Sequence, residues 1–154
     1  MTTNRYLHEI SSRLDRVFES SKNIDDEEIK SHYARYLCVL TSGYLEESVK
    51  IIIGNYVSNR TPPAILNYVN STTSNLTNLK TEKIINFLNT FDSKWKDEFE
   101  IILTEEEKDS IDSVVANRHQ IAHGKNVGVS YVNIKEWYKN IKNVVEKIDK
   151  IINP

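Results

Sequence analysis

Ile111-Asp112-Ser113-Val114-Val115-Ala116-Asn117-Arg118-His119-Gln120-Ile121-Ala122-His123-Gly124 is the stretch on which the reading of this chain turns. Taking Ile111 as zero and advancing 100° per residue, Val114, Val115 and Ala122 fall within about 60° of it, an amphipathic helix with one apolar stripe. Arg118 lands in the middle of that stripe, and His119 and His123 sit one turn apart along its edge. A guanidinium cannot shed its charge and is seldom left unpaired against an apolar surface. The helix therefore asks for a partner that it does not itself supply: an acidic residue, a second subunit or an anionic ligand.

Both ends of this helix are marked. Thr104 with Glu107 three residues later fits a capping box, and Gly124 stands where a left-handed C-terminal cap prefers glycine. Downstream, Ser130 is placed to cap a last helix whose Ile134, Trp137, Tyr138, Ile141, Val144, Val145, Ile148 and Ile152 make a long apolar face. Upstream, Leu7, Ile10, Leu14, Val17 and Phe18 share one face of a helix over about Asn4 to Ser20. Asp25 to Glu28 supply acidic residues for the first turn of a second, long helix. Its stripe is read as Tyr33, Leu37, Leu40, Tyr44, Ile51 and Ile52, and it ends near Tyr56. Pro62-Pro63 opens a short helix through Val69, Ser71 to Lys80 reads as a polar surface loop, and Thr81 begins a helix carrying Ile84, Ile85, Leu88 and Phe91. A shorter piece follows around Trp95 and Phe99. The expected fold is all-α, an up-and-down bundle of four main helices with one or two short ones between them, in one domain over residues 1–154.

Composition agrees. Four Gly and three Pro among 154 residues leave little material for turns, which favours long helices with short connections. A formal charge of -2 offers no general affinity for nucleic acid, so any phosphate binding must come from a local cluster. Cys38 is the only cysteine, which excludes an internal disulfide, and its position predicts a small, inert core residue. The start at Met1 to Arg5 has no apolar leader pattern, and no apolar run approaches the ~18 residues of a membrane span. The expected location is the cytoplasm, without membrane attachment. The Asn-x-Ser/Thr triplets at Asn59, Asn70 and Asn75 are then polar turn chemistry.

Three chemistries compete for the Arg118–His123 segment. The i, i+4 spacing of His119 and His123 is that of a zinc-binding pair, but the general-base position beside the first histidine is Gln120 and no third ligand stands out. A structural role is the commoner fate of an arginine and a histidine five residues apart: the arginine stem lies on apolar surface and pairs with a buried carboxylate, and the histidine caps carbonyls. The third chemistry is phosphodiester cleavage. RNA carries its own nucleophile, the 2′-OH, so the site needs a base, an acid and a cation for the phosphorane, and no metal. Histidine, with a pKa of ~6.5, serves as either base or acid near neutrality. The arginine fork matches two phosphate oxygens. His123 lies in the last helical turn, where imidazolium is favoured, and Lys125 adds a cation just beyond the glycine.

The segment Asn117-Arg118-His119-Gln120-Ile121-Ala122-His123-Gly124 resembles the R-x4-H signature of the HEPN superfamily, and Ser42-Gly43-Tyr44-Leu45-Glu46-Glu47-Ser48-Val49 resembles the corresponding helix of its RiboL-PSP-type group. The resemblance implies a four-helix fold and a homodimer in which two such segments face each other across a two-fold axis, forming one metal-independent, cofactor-free site for RNA. By motif position, Arg118 would bind the scissile phosphate and His123 would transfer protons. His119 fills the polar position after the arginine, and Asn117 and Lys125 flank as supporting residues. A defence or toxin role, with an antitoxin or defence-system protein as partner, is what the family implies. The alternative is a HEPN adaptor that dimerises and binds RNA, a nucleotide or a protein without cutting.

An acidic residue in the second helix often supports such a site. Helical phase puts Glu47 near Leu40 and Ile51 on the buried side and Glu46 nearer solvent, which favours Glu47 as the orienting partner, whereas similarity to the family picks Glu46. Some HEPN toxins carry, two residues after the motif histidine, a tyrosine that a partner nucleotidyltransferase modifies. Lys125 stands there instead, so that mode of neutralisation is not supported. In the final helix Lys135, Trp137, Tyr138, Lys139 and Lys142 are read as core aromatics and a solvated charged face rather than an RNA surface. The acidic run at Glu105 to Glu107 would repel RNA and belongs away from the cleft.

Overall fold

The structure, a computed structural model, describes residues 2–154, with side chains from Arg5 onward; Met1 and the side chains of residues 2–4 lie outside the described residues. Seven helices follow one another: α1 (Thr2–Ser21), α2 (Glu27–Ser58), α3 (Pro63–Thr73), α4 (Thr81–Phe91), α5 (Ser93–Ile102), α6 (Glu105–Ala122) and α7 (Tyr131–Ile152), with no strand among the described residues. The class is all-α, as expected. There are three short helices rather than one or two, because α3, α4 and α5 each close on their own cap. Pro63 occupies the first position of α3, and the Asp92 carboxylate accepts from the Lys94 backbone N–H (2.8 Å) where α4 hands over to α5.

The longest helix, α2, touches α1, α3, α6 and α7. It starts at the Asp26 cap, whose side chain accepts from the Ile29 N–H (3.0 Å), with Glu27 and Glu28 in its first turn. Because neighbours surround it, its buried residues do not form a single stripe: Ala34, Leu37, Cys38, Thr41, Leu45, Ser48, Val49, Ile52 and Ile53 are all inaccessible. Tyr33, expected in the stripe, is exposed instead, since the N-terminal half of α2 has an uncovered face that also bears Ile29, Tyr36 and Val39. Cys38 is fully buried with its thiol against the Val114 carbonyl (3.5 Å), the inert core role its position predicted.

Side-chain ties set the helix directions. Ser110 of α6 accepts from Asn140 of α7 (2.9 Å) while Glu107 accepts from Lys147 (2.7 Å), so α7 runs antiparallel to α6. Tyr131 donates to the Phe18 carbonyl (2.9 Å) and Tyr138 donates to Asp15 Oδ1 (2.6 Å), so α7 is antiparallel to α1 as well. Phe18 stacks on Tyr138 with ring centroids 4.6 Å apart. Lys30 lies over the Tyr131 ring and Tyr44 against Tyr138, which sets α2 parallel to α7. The up-and-down order places the C-terminal end of α6 beside the start of α2 and the start of α7. No described helix is long and apolar enough to cross a membrane.

Candidate functional site

The C-terminal turn of α6 is built by its cap. Gly124 adopts φ +71°, its N–H donates to the Ile121 carbonyl (3.0 Å), and the Lys125 N–H donates to the Gln120 carbonyl (3.0 Å). This is the paired bonding of a Schellman motif. It stops the helix at His123, whose own N–H still reaches the His119 carbonyl (3.2 Å). The two imidazoles therefore stay one turn apart on an exposed edge, with centroids 4.4 Å apart and planes inclined by 65°. Ala122, expected on the buried stripe, is exposed, and Ile121 is half-buried. In the last turn of α6 Ile121 still packs against the core, while His119, Ala122 and His123 lie open to solvent.

Arg118 is half-buried. Among the described residues no carboxylate forms an ion pair with it. Of the three partners the sequence asked for, an acidic residue of its own chain is not found among the described residues. Arg118 Nη1 donates instead to a neutral acceptor, Asn78 Oδ1 (3.1 Å), in the 74–80 loop between α3 and α4. The Asn78 backbone N–H in turn donates to Glu46 Oε1 (3.0 Å). The loop is held down by buried Leu76 and Leu79, and its far end is fixed where the Thr81 N–H donates to Asp112 Oδ1 of α6 (2.9 Å).

The expected supporting residues separate. Glu46 is half-buried and linked to Arg118 through Asn78, whereas Glu47 is exposed and lines an apolar groove between α1 and α2 with Arg13, Leu40 and Tyr44. The burial inferred from helical phase is thus reversed. Its reference residues Leu40 and Ile51 are themselves only half-buried, and so do not mark the centre of the buried side. Asn117 turns back on its own helix, donating to the Ser113 carbonyl (2.8 Å), and Lys125 is exposed just past the cap. Asn78 was missed. The sequence marks the segment only as a polar loop, and α3 continues into it as far as Thr73. Asn78 has φ +53°, the one positive value at a non-glycine among the described residues, and asparagine is a residue that tolerates it. With Asn70 and Asn75 nearby, sequence alone does not single it out.

Tyr138 is buried, Trp137 half-buried, and Lys142 pairs with Asp15 (3.2 Å), which leaves the α7 face as core and solvated charge. At the N-terminus of α6 the capping box forms from both sides, with Glu107 buried and bound by Lys147. That acidic end lies about 22 Å from the histidines along the helix. Among the described residues no group of three or more His, Cys, Asp or Glu is placed to hold a metal ion.

A family profile described as RiboL-PSP-HEPN matches residues 2–154. Neither the curated proteins nor the solved structures include one that matches this chain.

Proposed function

We propose that this chain, which belongs to the RiboL-PSP-HEPN family, is a metal-independent endoribonuclease acting as a toxin or defence effector. The observation that carries the proposal is the half-buried Arg118 guanidinium, without a carboxylate partner among the described residues, on the same helix end as two exposed imidazoles. A permanent cation in that setting calls for an anion, and its planar fork matches two oxygens of a phosphate. In the reaction the RNA 2′-oxygen attacks the adjacent phosphorus. A neutral imidazole takes the 2′ proton, the P–O5′ bond breaks, and an imidazolium delivers a proton to the departing 5′-oxygen. The products are a 2′,3′-cyclic phosphate and a 5′-OH. Arg118 holds the phosphate and stabilises the charge that builds on it.

His123 is the proton-transfer residue. Base and acid are both needed at one phosphate, and a second copy of the chain across a two-fold axis supplies the second His123. The exposed Ala122 and half-buried Ile121 beside it give such a pairing an apolar footing. The test is cleavage of RNA by purified protein in excess chelator. Wild type cuts, and His123→Ala does not while keeping its helical signal, because the side chain is exposed. Equal cutting by the two overturns the proposal.

A further inference from the structure

We infer that Asn78 is a positioning residue for Arg118, a latch that aims the guanidinium without neutralising it; the inference rests on the ribonuclease reading of that site. The left-handed backbone at Asn78 lets one residue face two ways. Its backbone N–H donates to Glu46 of α2 and its side-chain amide oxygen accepts from Nη1 of Arg118 on α6, so three segments distant in sequence meet at one residue. Leu76 and Leu79 are buried on either side, and Asp112 holds the Thr81 N–H, so the loop has little slack. The chemistry of the contact matters as much as its position. A carboxylate at the same distance would pair with Arg118 and compete with a phosphate, whereas an amide oxygen orients the cation and leaves its charge available. Glu46 is kept one residue back, holding the loop backbone rather than the guanidinium. With Nη1 engaged, the Nε and Nη2 edge remains as a two-donor fork for the phosphate.

Asn78→Gly is the informative variant, because glycine adopts a positive φ freely and keeps the backbone bond to Glu46 while deleting the amide oxygen. Its thermal midpoint is expected to stay near that of wild type, while kcat falls on the order of tenfold to a hundredfold, the scale of a misplaced catalytic group. In an Arg118→Ala background the same change is expected to add nothing. Asn78→Asp is expected to raise KM for RNA. Guanidinium 15N NMR gives a readout independent of turnover: the Arg118 Nη protons resolve in wild type at low temperature and average together in Asn78→Gly. A wild-type rate, or an unchanged guanidinium spectrum, in Asn78→Gly overturns the inference. Should wild type fail to cleave RNA at all, the ribonuclease reading falls, and the NMR comparison still decides whether Asn78 latches Arg118.

Discussion

At the scale of single residues the molecule sets a neutral contact where an ion pair is usual. Arg118 rests against Asn78 rather than a carboxylate, which leaves a full charge half-buried at the open end of α6. Arg118→Lys keeps that charge but loses the planar fork, and RNA cleavage is expected to fall on the order of a hundredfold, as when an oriented transition-state donor is removed. Assayed rates within twofold of wild type would mean that the cation acts by charge alone. The Arg118–His123 spacing that the proposal rests on can be read from the sequence because it is local, a fixed interval on one helix. Asn78 cannot, because its partners lie 32 and 40 residues away and are joined only by the packing of the 74–80 loop. The relative burial of Glu46 and Glu47 departs from the helical phase for a related reason: phase along a helix reports burial only when one side is buried, and α2 is enclosed on several.

At the scale of elements, caps decide where the functional turn ends. Gly124 holds φ +71° in open space, with nothing within 4 Å of an added Cβ, so a side chain there meets a conformational cost and no clash. Gly124→Ala is therefore expected to lower unfolding free energy by about 1–2 kcal/mol, the cost of a left-handed L-residue. Chemical denaturation measures it, and an unchanged midpoint would show that the Schellman turn does not need the glycine. The Thr104–Glu107 box, the Ser130 cap and the Pro63 start of α3 are readable, since each is written in a few adjacent residues, whereas Asp26, expected in the first turn of α2, caps it instead. The number of short helices is less readable. The α3 boundary sits inside a Ser/Thr/Asn-rich stretch whose local propensities do not mark where a helix stops.

At the scale of the whole molecule, the core carries groups that resist ionisation. Burial pushes the Cys38 thiol and the Tyr44 hydroxyl up to about 12. Tyr138 is raised first by burial and then by its bond to the Asp15 carboxylate and the charge there. Each binds its proton more tightly folded than unfolded. Their contribution is therefore intact below the unfolded values of about 8.5 for Cys and 10 for Tyr, and is lost as pH climbs above them. The urea midpoint is expected to hold near pH 8 and to drop between pH 10 and 11, and a flat profile over that range would contradict the packing of Tyr138 between α1 and α7. The bundle matters to the proposed function because it sends the acidic start of α6 to one end and leaves the Arg118–His123 turn open at the other, where a second copy can meet it.

The measurement that bears most directly on this account is the identity of the new ends when RNA is incubated with purified protein in excess chelator, with His123→Ala alongside. Wild type is expected to leave 2′,3′-cyclic phosphate and 5′-OH ends, and the variant to leave the RNA intact. Ends bearing a 5′-phosphate, cutting that stops when metal is removed, or the same products from His123→Ala would contradict it.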